Sequence, residues 1–403
     1  MCFGFSKHAR RRLLQTLALV GALTAAAATA QKAERPVVVV GAVVSTTGPA
    51  ATLGIPEKKA LELAEALAKE DASLPFVPKL VVYDDGSDPT RAVNAVRKLA
   101  NDDKAAVLIC CTTTPGSMAV LDAVKSLKTL NISMASAASV VEPVAERFWT
   151  FKTPMTDRMQ IAYTMETMSN QGVRRVAYLG LEDAYGEAGW NEFRVLAKDY
   201  GLEIVASERF ARGDSNLTPQ ALKVRQAVPD AVYVHSIPPS SVLAHQTLGR
   251  VGFSKAIFHS AGAANSGFLN VAKGAVDGAY VVSGVIEVYD QLPINHPLRP
   301  ALEGFAQEYG RRFPGEQPGL FAGQGWDAGK LAMMAIGAAL RAGAKPTEPE
   351  VFRAVVRDQM ERIQGHAGSN GVFNFSKRDH LGLDKSGIGM LKVVGGRFRL
   401  QSN

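Results

Sequence analysis

The chain has 403 residues and a formal charge of +7. Four of its positive charges, Lys7, Arg10, Arg11 and Arg12, precede an apolar run from Leu13 to Ala28, and without them the charge is about +3. A balance this weak, with no dense Lys/Arg stripe, gives no electrostatic footing for nucleic acid, and no later segment approaches the roughly 20 apolar residues of a membrane helix.

The basic patch, the apolar run and the small residues "ATA" before Gln31 are the three parts of a secretory leader. Residues 1–30 are therefore expected to be a signal peptide cleaved near Ala30, leaving an exported, periplasmic protein. Two cysteines remain after the leader, Cys110 and Cys111. A bridge between neighbours needs unusual backbone geometry, so the expectation is a pair of buried thiols at a strand end.

From Val37 onward, strand-length apolar runs alternate with helix-length amphipathic stretches. "VVVVGAVV" is followed by "IPEKKALELAEALAKE", where Ala60, Leu63, Ala64 and Leu67 recur at helical spacing and Pro56 suits a first turn. "LVVYDD" leads to "PTRAVNAVRKLA" with Asp88 as N-cap. "AAVLICC" then leads to "SMAVLDAVKSLKTL" and "ISMASAA". Unalternated apolar strands separated by helices are parallel strands covered on both faces. The pattern restarts with "RRVAYLGL", "LEIVASERF", "DAVYVHS" and "AIFHSAG", and "GMLKVVGGRFRL" predicts a hairpin turning at Gly395-Gly396. The fold class is α/β, with two doubly wound parallel-sheet lobes.

Catalytic signatures are missing. Gly41, Gly48 and Gly54 are too widely spaced for a dinucleotide loop, and there is no phosphate-binding P-loop, nucleophile elbow or zinc-type His spacing. The expectation is a binding protein, not an enzyme, with no cofactor and no metal. In parallel sheets ligands sit beyond the carboxyl ends of strands. Thr112, Thr113 and Thr114 stand at such an end, and the next strand end offers the Ala138 carbonyl and the Ser139 hydroxyl. Together they predict a neutral cradle for a carboxylate.

"STTGPAATLGIPEKKALELA", "CTTTPGSMAVLDAV", "MASAASVVEPV", "FKTPMTDRMQIAY", "DAYGEAGWNEF" and "GVFNFSKRDHLGLD", in this order, resemble the type I periplasmic binding proteins of the leucine/isoleucine/valine-binding family, the solute receptors of branched-chain amino-acid ABC importers. The resemblance implies a three-segment hinge near Lys152, Gly284 and Gly368–Gly371. It divides the chain into a lobe of residues 36–152 plus 285–370 and a lobe of 153–284 plus 371–403. It implies that Thr112 and Ser139 hold a ligand carboxylate, with Thr113 beside them in the binding site, that the Ala138 carbonyl accepts from an ammonium, and that Tyr185 closes over the ligand. Leu53 and Ile237 would be apolar walls. The family's amino-acid binders place a glutamate where Ala261 stands here. Either Asp183 or Glu187 replaces that charge, or the ligand is an aromatic or aliphatic carboxylate without an amino group. The implied partner is a membrane permease of an ABC importer, with the receptor a monomer; the competing class is an extracellular sensing module feeding a signalling partner.

Overall fold

The computed structural model describes Met1 and residues 35–401; the expected leader lies outside the described residues. Residues 37–403 form one compact unit built on two sheets. The first is five-stranded and parallel, in the order β2-β1-β3-β4-β5, from β1 (Val37–Val44), β2 (Val77–Asp84), β3 (Val107–Cys110), β4 (Leu130–Ser133) and β5 (Thr150–Lys152). Val40, Ala42, Val43 and Val44 are all fully buried, which is why β1 carries no polar alternation. Its connecting helices are α1 (Ala51–Glu70), α2 (Pro89–Asn101), α3 (Thr114–Ala119) and α4 (Leu121–Leu127). Asp88 caps α2 by accepting from Arg91 N. Helix α1 begins ahead of the expected start, so Pro56 lies inside it and not in its first turn.

The second sheet has the order β14-β13-β10-β9-β8-β6-β7. Strands β6 (Arg175–Leu181), β7 (Glu203–Phe210), β8 (Ala231–His235), β9 (Ala256–His259) and β10 (Tyr280–Gly284) are parallel. They alternate with α5 (Asp157–Asn170), α6 (Ala184–Asp199), α7 (Thr218–Gln226), α8 (Ser240–Arg250) and α9 (Ser266–Ala272). Three helices follow: α10 (Arg299–Arg312), α11 (Leu320–Arg341) and α12 (Pro349–Met360). Between α12 and the last pair of strands lies a short antiparallel pair, β11 (His366–Ala367) and β12 (Val372–Phe373). The chain ends in β13 (Ile388–Val394) and β14 (Arg397–Leu400), which add antiparallel to β10. Gly395 and Gly396, both at positive φ, make the hairpin turn between them.

Helix α11 packs back on α1 of the first sheet. A Cβ on Gly325 would stand 2.5 Å from Glu57 O, and one on Gly329 would stand 2.8 Å from Ala64 Cβ, so two glycines one turn apart let the helices touch. That contact fixes the first turn of α11 over the end of β3. Fully buried Asp327, in the next turn, accepts from Ser369 N at 2.8 Å, Ser369 Oγ at 2.9 Å, Asn370 N at 3.1 Å and Asn370 Nδ2 at 2.9 Å. A late segment that leads back towards the second sheet is thus clamped to a helix that serves the first.

Cys110 and Cys111 are not thiols. They are joined to each other by a disulfide across a cis peptide bond that brings their Cα atoms to 3.0 Å. Both are fully buried between the first sheet and its helices, among Leu108, Val96, Leu99 and Val120.

Candidate functional site

The loops beyond the carboxyl ends of both sheets enclose a cavity of about 40 Å³, several times the space one water requires. The first sheet contributes Thr112, Thr113 and Thr114 after β3 and Met134, Ala135 and Ser136 after β4. The second contributes Tyr185, Arg212, Ile237, Ala261 and Gly262; Leu53 comes from α1, Gln160 from α5, and Leu320, Phe321 and Gln324 from α11. Leu53, Met134, Ile237, Leu320 and Phe321 make most of the wall apolar.

The hydroxyls after β3 have different duties. Thr112 Oγ1 accepts from Ser45 N at 3.0 Å and shares a hydrogen with Glu57 Oε2. Thr113 caps α3, its Oγ1 accepting from Gly116 N at 3.3 Å. Thr114 Oγ1 is buried and has no hydrogen-bond partner.

After β4 the cavity is reached by Ser136, and not by the expected Ala138 and Ser139. The Lys152 ammonium, fully buried, donates to Ser136 O at 2.5 Å, and Asp157 Oδ1 accepts from Ala138 N at 3.1 Å. These contacts draw the loop away from the cavity beyond Ser136. The Ala138 carbonyl is occupied by the amides of Val141 and Glu142 at 3.1 and 3.0 Å. Ser139 is exposed, with its Oγ on Met118 Sδ at 3.6 Å, and Ala138 and Ser139 border a separate surface hollow with Glu142 and Arg158. Burial lowers the pKa of Lys152 and raises that of Asp157, and their opposite charges counter the two shifts.

On the second side, Tyr185 OH donates to Ser260 Oγ at 2.9 Å, and its ring lies 4.1 Å from that of fully buried His235. Burial, helped by Arg209, pushes His235 down to about 3, so the imidazole beneath Tyr185 is neutral at physiological pH. Gly262 has no room for a side chain, since a Cβ would stand 2.7 Å from Ser236 O and 3.0 Å from Tyr185 OH. Gln160 Nε2 donates to Met155 O at 3.1 Å and its Oε1 accepts from Ala261 N at 3.3 Å, which fixes the amide's orientation and ties the Ala261 turn to α5.

Charge in the cavity comes from one side chain among the described residues that line it, Arg212; none of them is Asp or Glu. Arg212 Nε donates to Asp183 Oδ2 at 2.6 Å, while its Nη1 is buried without a partner. Asp183 also caps α6, accepting from Tyr185 N at 2.9 Å and Gly186 N at 3.1 Å. Glu187 is paired with Arg209, Oε1 to Nε at 2.6 Å. Neither acid lines the cavity, and each is paired with an arginine. Gln324 Oε1 is a further buried polar atom without a partner.

Of the eight residues expected from sequence, Leu53, Thr112, Thr113, Tyr185, Ile237 and Ala261 come together at this cavity and Ala138 and Ser139 do not. Sequence reading missed Ser136, Gln160, Arg212, Phe321 and Gln324. Arg212 follows β7 at a strand end, as Thr112 follows β3, and that position was its available signal.

Residues 37–392 match the family model described as periplasmic binding protein. An extracellular ligand-binding receptor from Rhodopseudomonas palustris is 32% identical over 90% of this chain and 99% of its own, with a TM-score of 0.84. A leucine-, isoleucine-, valine-, threonine- and alanine-binding protein of Pseudomonas aeruginosa is 22% identical over 65% of this chain and 70% of its own. An ABC-transporter solute-binding protein of R. palustris in complex with benzoate is 19% identical over 91% of this chain and 96% of its own, with a TM-score of 0.74. A two-lobed α/β fold, a cavity between its sheets and a family match along almost the whole described chain lead to one conclusion: the chain belongs to the periplasmic binding protein family.

Proposed function

We propose that this solute-binding protein captures a small carboxylate without an amino group, an aromatic or aliphatic acid, and presents it to the permease of an ABC importer. The observation that carries the reading is the cavity's polarity. Among the described residues its charge is the Arg212 guanidinium, its buried unpartnered donors are Arg212 Nη1 and the Thr114 hydroxyl, and no carboxylate lines it. An anion gains a charge-assisted hydrogen bond there, whereas a buried ammonium would meet a like charge and no counter-ion. The apolar wall of Leu53, Met134, Ile237, Leu320 and Phe321 suits the hydrocarbon part of such an acid. The benzoate complex of a relative with this fold supports a carboxylate of this kind; the amino-acid binder from P. aeruginosa represents the rival ligand class.

In this reading, segments near Lys152, Gly284 and Gly368–Gly371 form the hinge, lobes of residues 36–152 plus 285–370 and 153–284 plus 371–403 close over the ligand, and the receptor works as a periplasmic monomer after loss of residues 1–30. The test is a thermal-shift panel on unfolded, dialysed and refolded protein, with benzoate, cinnamate, 3-phenylpropionate and octanoate beside leucine, valine and alanine. Any of these at about 100 times its dissociation constant adds roughly 2.7 kcal/mol of stability. Midpoint rises confined to the acids support the reading, and rises confined to the amino acids overturn it.

A further inference from the structure

We infer that Glu57 is held as a neutral acid whose proton is donated to Thr112 Oγ1, which turns the Thr112 hydroxyl hydrogen out of the protein and into the ligand cavity. The inference deepens the carboxylate reading above and rests on it for the identity of the acceptor. Glu57 is a positioning residue here: it does not line the cavity, while Thr112 does.

Hydrogen counting defines the choice. The amide of Ser45 can only donate, and it donates to Thr112 Oγ1 at 3.0 Å. Thr112 then has one hydrogen of its own, and Glu57 Oε2 lies in hydrogen-bond contact with the same oxygen. If Glu57 is ionised, that hydrogen is consumed by the carboxylate and Thr112 has no donor for a ligand. If Glu57 is protonated, Thr112 Oγ1 accepts twice and its hydrogen is left for the cavity.

The surroundings favour the neutral form. Glu57 is fully buried, Thr112 is its one hydrogen-bonded contact, and Oε1 has no partner. An anion with a single hydrogen bond in such a place is far costlier than an acid with one unpaired carbonyl oxygen. Among the described residues, the groups facing it supply no cation. From the loop after β2 comes Asp85, whose Oδ1 accepts from Ser45 Oγ at 2.7 Å and Ser87 N at 2.8 Å. From α11 comes the backbone of Gly325, and Asp327, two residues further along that helix, is occupied with Ser369 and Asn370. On α1 itself, Lys58 and Lys59 pair with Glu62 and Glu316. Of the two buried acids, Asp85 has donors enough to carry the charge, and that charge weighs against a second one on Glu57. Burial raises both above the ordinary carboxylate range, Glu57 the more strongly.

Two readouts test this on the mature protein. Infrared difference spectra of wild type minus Glu57→Gln, recorded without ligand at neutral pH, should contain the carbonyl stretch of a protonated carboxylic acid. Absence of that band overturns the inference whatever the ligand proves to be. Benzoate titrations then examine the consequence. Glu57→Gln, whose amide can still donate to Thr112 Oγ1, should bind with wild-type affinity at neutral pH, and Glu57→Ala, which leaves the Thr112 hydrogen unclaimed but undirected, should lose less than the roughly tenfold worth of one hydrogen bond. Wild-type affinity should fall more steeply than that of Glu57→Gln as pH is raised from neutral into the alkaline range: both share the titration of Lys152 behind Ser136, and only the wild type also loses this proton. Glu57→Gln binding about tenfold or more weakly than wild type at neutral pH, or sharing the wild-type pH profile, overturns the inference. If no acid of the panel binds the wild type, the carboxylate reading fails, and the infrared band alone decides the state of Glu57.

Discussion

Arg212 and Asp183 are joined Nε to Oδ2 at 2.6 Å, and the same aspartate caps α6 through Tyr185 N and Gly186 N. The acid that could have met a ligand ammonium is thereby turned into the support of a cation. Arg212→Ala should weaken carboxylate binding tenfold to a hundredfold, the loss of a charged hydrogen bond worth about 1.5–3 kcal/mol. Arg212→Lys should fall between, since it keeps the charge but not the planar fork. Calorimetric titration checks both, and wild-type affinity in Arg212→Ala would remove Arg212 from the anion site.

The loop after β4 gives a second test. Ser136→Ala and Thr114→Val should each cost affinity about five- to tenfold, near 1 kcal/mol, while Ser139→Ala should leave it unchanged. Thr114→Val should also leave the ligand-free melting midpoint level or raised, because it removes a buried hydroxyl that has no partner. Equilibrium binding and melting of the three variants separate these outcomes.

Asp327 holds Ser369 and Asn370 through four donors. Asp327→Ala strands those donors in the interior and should cost about 3 kcal/mol or more, read as a lower urea midpoint. An unchanged midpoint would mean that the segment of Ser369 and Asn370 is held by other contacts.

His235 gives a pH prediction with a definite sign. Its folded-state pKa of about 3 lies below the ordinary 6.5, so between these values the unfolded chain binds a proton that the native state refuses. Stability from this residue is complete above pH 6.5 and is lost as pH falls through that window. Denaturant titrations across the acid range should show a shallower decline for His235→Gln than for wild type. Equal slopes would place the acid sensitivity elsewhere.

Much of the architecture was legible because burial on both faces leaves a plain signature: Val37–Val44 and Val107–Cys110 carry no polar alternation, and each is followed by a helical stretch. The apolar and hydroxyl walls of the cavity, Leu53, Thr112, Thr113, Tyr185, Ile237 and Ala261, were legible from strand-end position and resemblance. The register after β4 was not, because it is set by Lys152 and Asp157, distant in sequence from Ser136. Arg212 was hidden for a related reason: a lone arginine after a strand looks like any solvated charge until its partner Asp183 and its buried Nη1 are seen together. The bridge between Cys110 and Cys111 depended on a cis peptide that residue type does not announce.

The most direct test of the central claim is a pair of calorimetric titrations with 3-phenylpropionate and phenylalanine, which differ only by the α-amino group. A cavity lined by Arg212 and no carboxylate should bind the acid at least about tenfold more tightly, a difference of roughly 1.4 kcal/mol. Equal affinities, or tighter binding of phenylalanine, would contradict it.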